Sequence, residues 1–125
     1  MTSFRGYVKH LNMHELRIAE DLSEIVLNEA KKAGLSIVTK VNISFGKMVQ
    51  IVPDIFEFAF RECVRDTFAQ DAKVIIEIVP VKMKCMRCGE DFRVTENKFE
   101  CSACGSADLE IIQGKELFIN SIEGE

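Results

Sequence analysis

Basic charge is not in excess in this chain of 125 residues: 16 Lys and Arg stand against 20 Asp and Glu, giving a net charge of -4 and a pI near 5.3. That balance argues against a polyanion as the main partner, because phosphate backbones are met with Lys and Arg in surplus. No apolar run approaches the roughly 18 residues of a membrane span, and the opening Met1 to Asn12 is interrupted by Gly6, Lys9 and His10, so it lacks the apolar core of a secretion signal. Histidine is scarce as well. With only His10 and His14, no Ser-His-Asp or Cys-His set can be assembled, and a hydrolase or oxidoreductase would need a nucleophile, a base and an open pocket that the chain does not advertise. The expectation is a protein that is not an enzyme. Low-complexity segments are missing too, and the one internal repeat is a short cysteine pattern.

That pattern is Cys85-Met86-Arg87-Cys88 and, twelve residues later, Cys101-Ser102-Ala103-Cys104. Two Cys-x-x-Cys pairs so spaced place four thiolates on two tight turns, which is how a short segment builds a tetrahedral sulfur cage for one metal ion. Gly89 and Gly105 follow the second Cys of each pair; lacking Cβ, each can take the positive φ that curls the turn back and aims backbone N–H groups at sulfur. Structural Zn2+ on Cys85, Cys88, Cys101 and Cys104 is the expectation, with a rubredoxin-like iron centre or a pair of redox disulfides as the alternatives. Four protein ligands leave zinc no open position for water. A fifth cysteine, Cys63, makes the number odd, so reduced thiols and a cytoplasmic setting are expected. From Lys82 to Glu110 five basic residues meet six acidic ones, and a zinc held by four thiolates adds a further net -2, so the loaded segment is acidic.

The hydrophobic content of 47%, with nine Phe, suffices for one main domain beside a small metal-stapled module. Asn12-Met13-His14-Glu15 has the form of a capping box, and Leu16, Ala19, Leu22, Val26, Ala30 and Ala33 follow at helical spacing up to a Gly34 stop. Ile37, Thr39, Val41, Ile43 and Phe45 alternate with Val38, Lys40, Asn42 and Ser44, a strand with one mostly apolar face that ends at Gly46. Pro53 opens a second helix with Phe56, Ala59, Phe60, Cys63 and Val64 on its inner face. Cys63 then reads as a small core hydrophobe, against the alternative of a reactive thiol or further metal ligand. Val74 to Val81 is a nearly continuous apolar run, read as a well-covered strand with Pro80 at its exit. Leu109 to Ile112 and Leu117 to Ile122 give further strand signals around Gln113-Gly114. The last strand is expected to return to the first sheet, making the cysteine segment an insertion between neighbouring strands.

The class is therefore α+β: two helices on one face of a small sheet of about three strands, with an inserted zinc-ribbon module. The expected division is an extension at residues 1–12, an α+β domain at 13–81 and 111–125, and the ribbon at 82–110.

His14 has one further reading. If the chain began at Met13, the α-amine, the amide nitrogens of His14 and Glu15, and the His14 imidazole could wrap a square-planar ion such as Ni(II) or Cu(II). The alternative is that His14 and Glu15 are ordinary first-turn residues.

Met13-His14-Glu15-Leu16, Val52-Pro53-Asp54 followed by Phe58-Ala59-Phe60, the two cysteine pairs, and the closing stretch from Gly114 through Lys115, Glu116, Leu117, Phe118, Ile119, Asn120, Ser121 and Ile122 to Glu123, in this order, resemble the HypA/HybF family of hydrogenase maturation nickel chaperones. The resemblance runs from Met13 to the C-terminus. It implies a metallochaperone with zinc on Cys85, Cys88, Cys101 and Cys104 and transient Ni2+ cargo at Met13, His14 and Glu15. It also implies work with the GTPase HypB to insert nickel into the large subunit of [NiFe]-hydrogenase, and in some members into the urease pathway. No nucleic acid or membrane partner is expected, and the chain should be a monomer or weak homodimer. Members usually begin at the Met of Met-His-Glu, so Met13 is expected to be the true start and Met1 an upstream one. Should the extension be genuine, His10 could supply a replacement nitrogen. Two rivals stay open: a zinc-ribbon adaptor without nickel, and a nucleic-acid module, for which only Phe92 and Phe99 offer stacking surfaces.

Overall fold

The computed structural model describes residues 6–7, 15–95 and 98–125. Along the chain run β1 (Gly6–Tyr7), α1 (Glu15–Lys32), β2 (Val38–Gly46), a 3-10 turn (Lys47–Val49), α2 (Pro53–Cys63), β3 (Lys73–Val79), β4 (Lys82–Cys85), β5 (Asp91–Arg93), β6 (Leu109–Gln113) and β7 (Leu117–Gly124). They form two sheets, one ordered β1-β7-β2-β3 and the other β5-β4-β6. The α+β class is thus observed, with the expected three-stranded sheet widened by two residues of the extension that pair with Phe118 and Ile119.

The two helices supply one layer. On α1, Ile18, Ala19, Leu22, Val26 and Ala30 are fully buried, a stripe at helical spacing packed against α2 and the sheet. Leu16, expected in that stripe, is 56% exposed, and Ile18 takes its place because the stripe begins one turn position later. The helix closes at Gly34 as expected, where the Leu35 N–H reaches back to the Ala30 carbonyl at 3.0 Å. α2 opens on Pro53, where a missing N–H costs nothing, and buries Phe56, Ala59 and Phe60. Phe56 meets the ring of Phe45 edge-on at 4.9 Å, fastening the helix layer to the sheet. Cys63 lies half-buried against this core.

In the sheet, β2 is central, parallel to β3 through the α2 crossover and antiparallel to β7. Two register shifts break the simple alternation. One at Thr39 turns both Val38 and Val41 inward, so Ile37 and Thr39, expected on the apolar face, are exposed. The other, at Asn120 on β7, buries both Ile119 and Ile122 and lets the Asn120 amide donate to the Ser44 hydroxyl. β3 is not the covered strand that its apolar run suggested. It stands at the sheet edge, with Glu77 and Ile78 exposed.

β7 pairs with β2 and not with β3, so the inserted segment joins two strands that flank a third. Within that segment β4 pairs with both β5 and β6. The second sheet therefore runs on to Gln113, and the boundary expected between Glu110 and Ile111 falls inside β6. The two sheets meet where Gly46 and Gly114 lie backbone to backbone: a Cβ on Gly46 would sit 2.2 Å from the Gly114 carbonyl, so glycine there is a condition of the crossing. The Met48 N–H donates to the Gly114 carbonyl across it, at 2.8 Å.

Candidate metal centre

The four cysteines come together at one end of the second sheet. Their sulfurs all lie within 4.8 Å of one another, with Cys85 to Cys104 and Cys88 to Cys101 each at 3.6 Å. A tetrahedron with Zn–S bonds of about 2.3 Å has edges of about 3.8 Å, so the observed cluster fits that ion. The two knuckles repeat one local plan. Cys85 donates its N–H to the Glu90 carbonyl at 2.8 Å and accepts from the Gly89 N–H at 2.9 Å; Cys101 does the same with Ser106 and Gly105 at the same two distances. Gly89 and Gly105 take φ of 81° and 75°, and open space surrounds both, so it is the backbone angle that calls for glycine.

Each first cysteine is buried and each second one exposed. The buried sulfurs receive the amide groups. The Cys88 N–H points at Cys85 Sγ, and the N–H groups of Cys104 and Ala103 at Cys101 Sγ, all at 3.4 Å. Chiefly through its Cys88 amide bond, the Cys85 thiol is lowered to about 6, and that of Cys101 is lowered by the Cys104 amide. The outer thiols go the other way. The Glu90 amide favours a thiolate at Cys88, but its bond with Cys101 and its desolvation outweigh that and push it up to about 12. Cys104 is raised as well, the pull of the Ser106 amide being overcome by desolvation and its bond with Cys85. A cation of charge two is what lets four such sulfurs ionise side by side. Zinc bound here would hold the two knuckles together and, with four sulfurs committed, supply no open coordination position.

Among the described residues this is the one group of three or more Cys, His, Asp or Glu whose ligand atoms converge. Cys63 stands apart from it. Burial pushes its thiol up, with Ser23 of α1 as a hydrogen-bond partner acting the other way, which suits a core residue and not a reactive one.

Of the expected nickel segment, Met13 and His14, like the capping residue Asn12 and the possible substitute His10, lie outside the described residues. Glu15 is the first residue of α1, and its carboxylate accepts the Val52 N–H at 3.4 Å. Val52 caps α2 without a side-chain bond of its own, and the third helical residue there, Ile55, cannot reach back as a Glu would. Glu15 fills that place from the neighbouring helix. Sequence reading missed this contact; the one hint was a Pro-initiated helix with no polar residue before it.

A cleft of about 800 Å³ opens between the 3-10 turn and the ribbon, and its described lining contains Lys47, Arg93, Thr95 and Phe99 but no Cys, His, Asp or Glu. No helix among the described residues is long and apolar enough to cross a membrane.

Comparison with known proteins settles the kinship. A family model described as "Hydrogenase/urease nickel incorporation, metallochaperone, hypA" matches residues 13–124. The chain belongs to the HypA family. The hydrogenase maturation factor HypA of Geobacter metallireducens is 36% identical over 113 residues, 90% of this chain and all of that protein. The factor of the same name from Aquifex aeolicus is 35% identical over 90% of this chain and 98% of its own length. In fold, the solution structure of the Ni metallochaperone HypA from Helicobacter pylori agrees with a TM-score of 0.66, covering 90% of this chain and 99% of that one at 24% identity. HypA-family proteins are metallochaperones, not enzymes.

Proposed function

We propose that this protein binds Ni2+ at Met13, His14 and Glu15 and passes it to the large subunit of [NiFe]-hydrogenase with the help of HypB, while a structural Zn2+ on the four cysteines keeps the ribbon folded. The observation that carries the reading is the family match beginning at Met13, together with the anchoring of Glu15 on Val52. With its carboxylate engaged, Glu15 offers the metal its amide nitrogen and fixes the point from which the preceding residues depart. The His14 imidazole and the amide nitrogens of His14 and Glu15 then supply borderline nitrogen donors of the kind Ni(II) favours in a plane. All of them compete with protons, so the cargo is held more weakly as pH falls, a useful property in a carrier that must let go.

The donor set differs with the start of the chain. A chain starting at Met13 adds a free amine; one that keeps residues 1–12, whose Gly6 and Tyr7 pair with β7, needs another nitrogen, for which His10 is the candidate. Calorimetric titration of both forms with Ni2+ tests the proposal. We expect one site, lost in His14→Ala with one zinc per chain retained. Unchanged nickel stoichiometry in that variant would sink the assignment and favour a zinc-ribbon adaptor without cargo.

A further inference from the structure

We propose that the free edge of β3 is a self-association surface, on which β3 of a second copy of this chain adds antiparallel and joins two four-stranded sheets into one. β3 ends the strand order, and among the described residues no backbone hydrogen bond reaches Lys73–Val79 from its outer side. A row of unpaired N–H and C=O groups is a template for another strand. Natural edges are usually shortened, charged, bulged or capped by proline. This one is seven residues long, Lys-Val-Ile-Ile-Glu-Ile-Val, with regular pairing to β2 along its whole length and Pro80 only beyond its exit. The opposite edge, β1, has two residues and is a much poorer template.

The sequence of β3 is complementary to itself. Antiparallel pairing centred on Ile75 sets Lys73 opposite Glu77 twice, Val74 opposite Ile76 twice, and Ile75 opposite its own copy. Register with β2 places Lys73, Ile75 and Glu77 on the outer face, beside Asn42 and Ser44, while Val74 and Ile76 lie with Val41 and Ile43 on the helix side. The two ion pairs would thus form in the open and the aliphatic pairs against the core layer, as each residue type requires. Moving the centre by one residue to Ile76 sets Lys73 against Val79 and leaves every charge unpaired. Two-fold symmetry uses the same short segment on both sides, which is why a second copy suits this edge better than an unrelated strand. Lys73 and Glu77 are both exposed and make no ion pair within the chain among the described residues, so each is available. A strand of seven residues buries less than a standard interface, so the dimer is weak and fills by mass action as concentration rises.

Sedimentation velocity of the full zinc-loaded chain, from about 10 µM to about 1 mM, reads the equilibrium directly. The wild type should pass from monomer toward dimer over this range. Glu77→Lys should weaken the dimer about tenfold, because two opposite-charge pairs become two like-charge ones, and Lys73→Glu with Glu77→Lys should return it to within about threefold of wild type. Ile75→Cys adds a geometric check. Its thiols face each other across the two-fold axis within disulfide reach, so mild oxidation should give a covalent dimer that the wild type does not form. A chain that stays monomeric throughout, a dimer indifferent to Glu77→Lys, a charge swap that fails to restore, or no covalent dimer with Ile75→Cys would each overturn the proposal.

Discussion

The helix-covered sheet, which is mixed, and the ribbon sheet, which is wholly antiparallel, are held by different forces. Twenty buried apolar residues fill the space between α1, α2 and the β2 side of the first sheet. Fully burying one aliphatic or aromatic side chain of that kind is worth about 1.5–3 kcal/mol, ample to order a small domain. In the segment from Val81 to Gln113, the buried apolar residues among those described are Val81, Met83, Cys85 and Cys101, and two of those belong to the four-cysteine cluster. Such a segment has too little apolar surface to offset its own chain entropy, so the sulfur cage takes the place of a core. Each part is therefore vulnerable in its own way, one to cavities and the other to protons and chelators.

The largest break should come from Cys85→Ala or from zinc removal by a chelator. Either should erase the dispersed NMR signals of residues 82–113 and leave those of α1 and α2 in place, and ribbon signals that survive would show that apolar packing alone suffices there. Phe60→Ala attacks the other side of the comparison. Its ring is fully buried beside Phe56, 5.8 Å away, and its loss should cost about 3–5 kcal/mol in denaturant unfolding with one zinc per chain retained. Acid should separate the two regions more gently. Cys88, pushed up to about 12, and Cys104, also raised, keep their protons in the metal-free ribbon at neutral pH, whereas Cys85 at about 6 has already lost its own. Zinc must displace at least those two protons, so affinity should fall as pH falls, by at least about a hundredfold per unit, and more steeply below pH 6, where Cys85 also takes up a proton. Competition titration with a chromophoric chelator measures that slope; a flat profile would mean that the outer thiols are already ionised. Smallest of all should be Cys63→Ala. A half-buried thiol touching Ser23 should cost about 1 kcal/mol or less and leave metal content unchanged, as mass spectrometry of the intact protein can verify.

Several of these features were readable from residue order because they are local. Cys85 and Cys88 share one turn, as do Cys101 and Cys104, and glycine at the fifth position of each turn follows from one backbone angle. The inner face of α2 repeats with the helix period, and Phe56, Ala59, Phe60 and Val64 lie where that period puts them. Other features were not readable. Leu16 looks like the first residue of a buried stripe, yet it is 56% exposed at the start of α1. Ile37 and Thr39 sit on the apolar face only while alternation is unbroken, and one extra residue in the ladder reverses the phase. The Glu15 to Val52 bond joins residues 37 apart, beyond the reach of any local pattern of helix or turn.

Residue order alone was enough for the four-cysteine cluster, the two helices and the kinship, since each rests on spacing within a turn or on a run of motifs in fixed order. Which strand is central and which is left at the edge depends instead on long-range pairing. An apolar run such as Val74-Ile75-Ile76 records a preference for extended backbone and for burial, but strand pairing is a bond between distant parts of the chain. Once β7 returned to the far side of β2, β3 kept one row of backbone groups without a neighbour among the described residues.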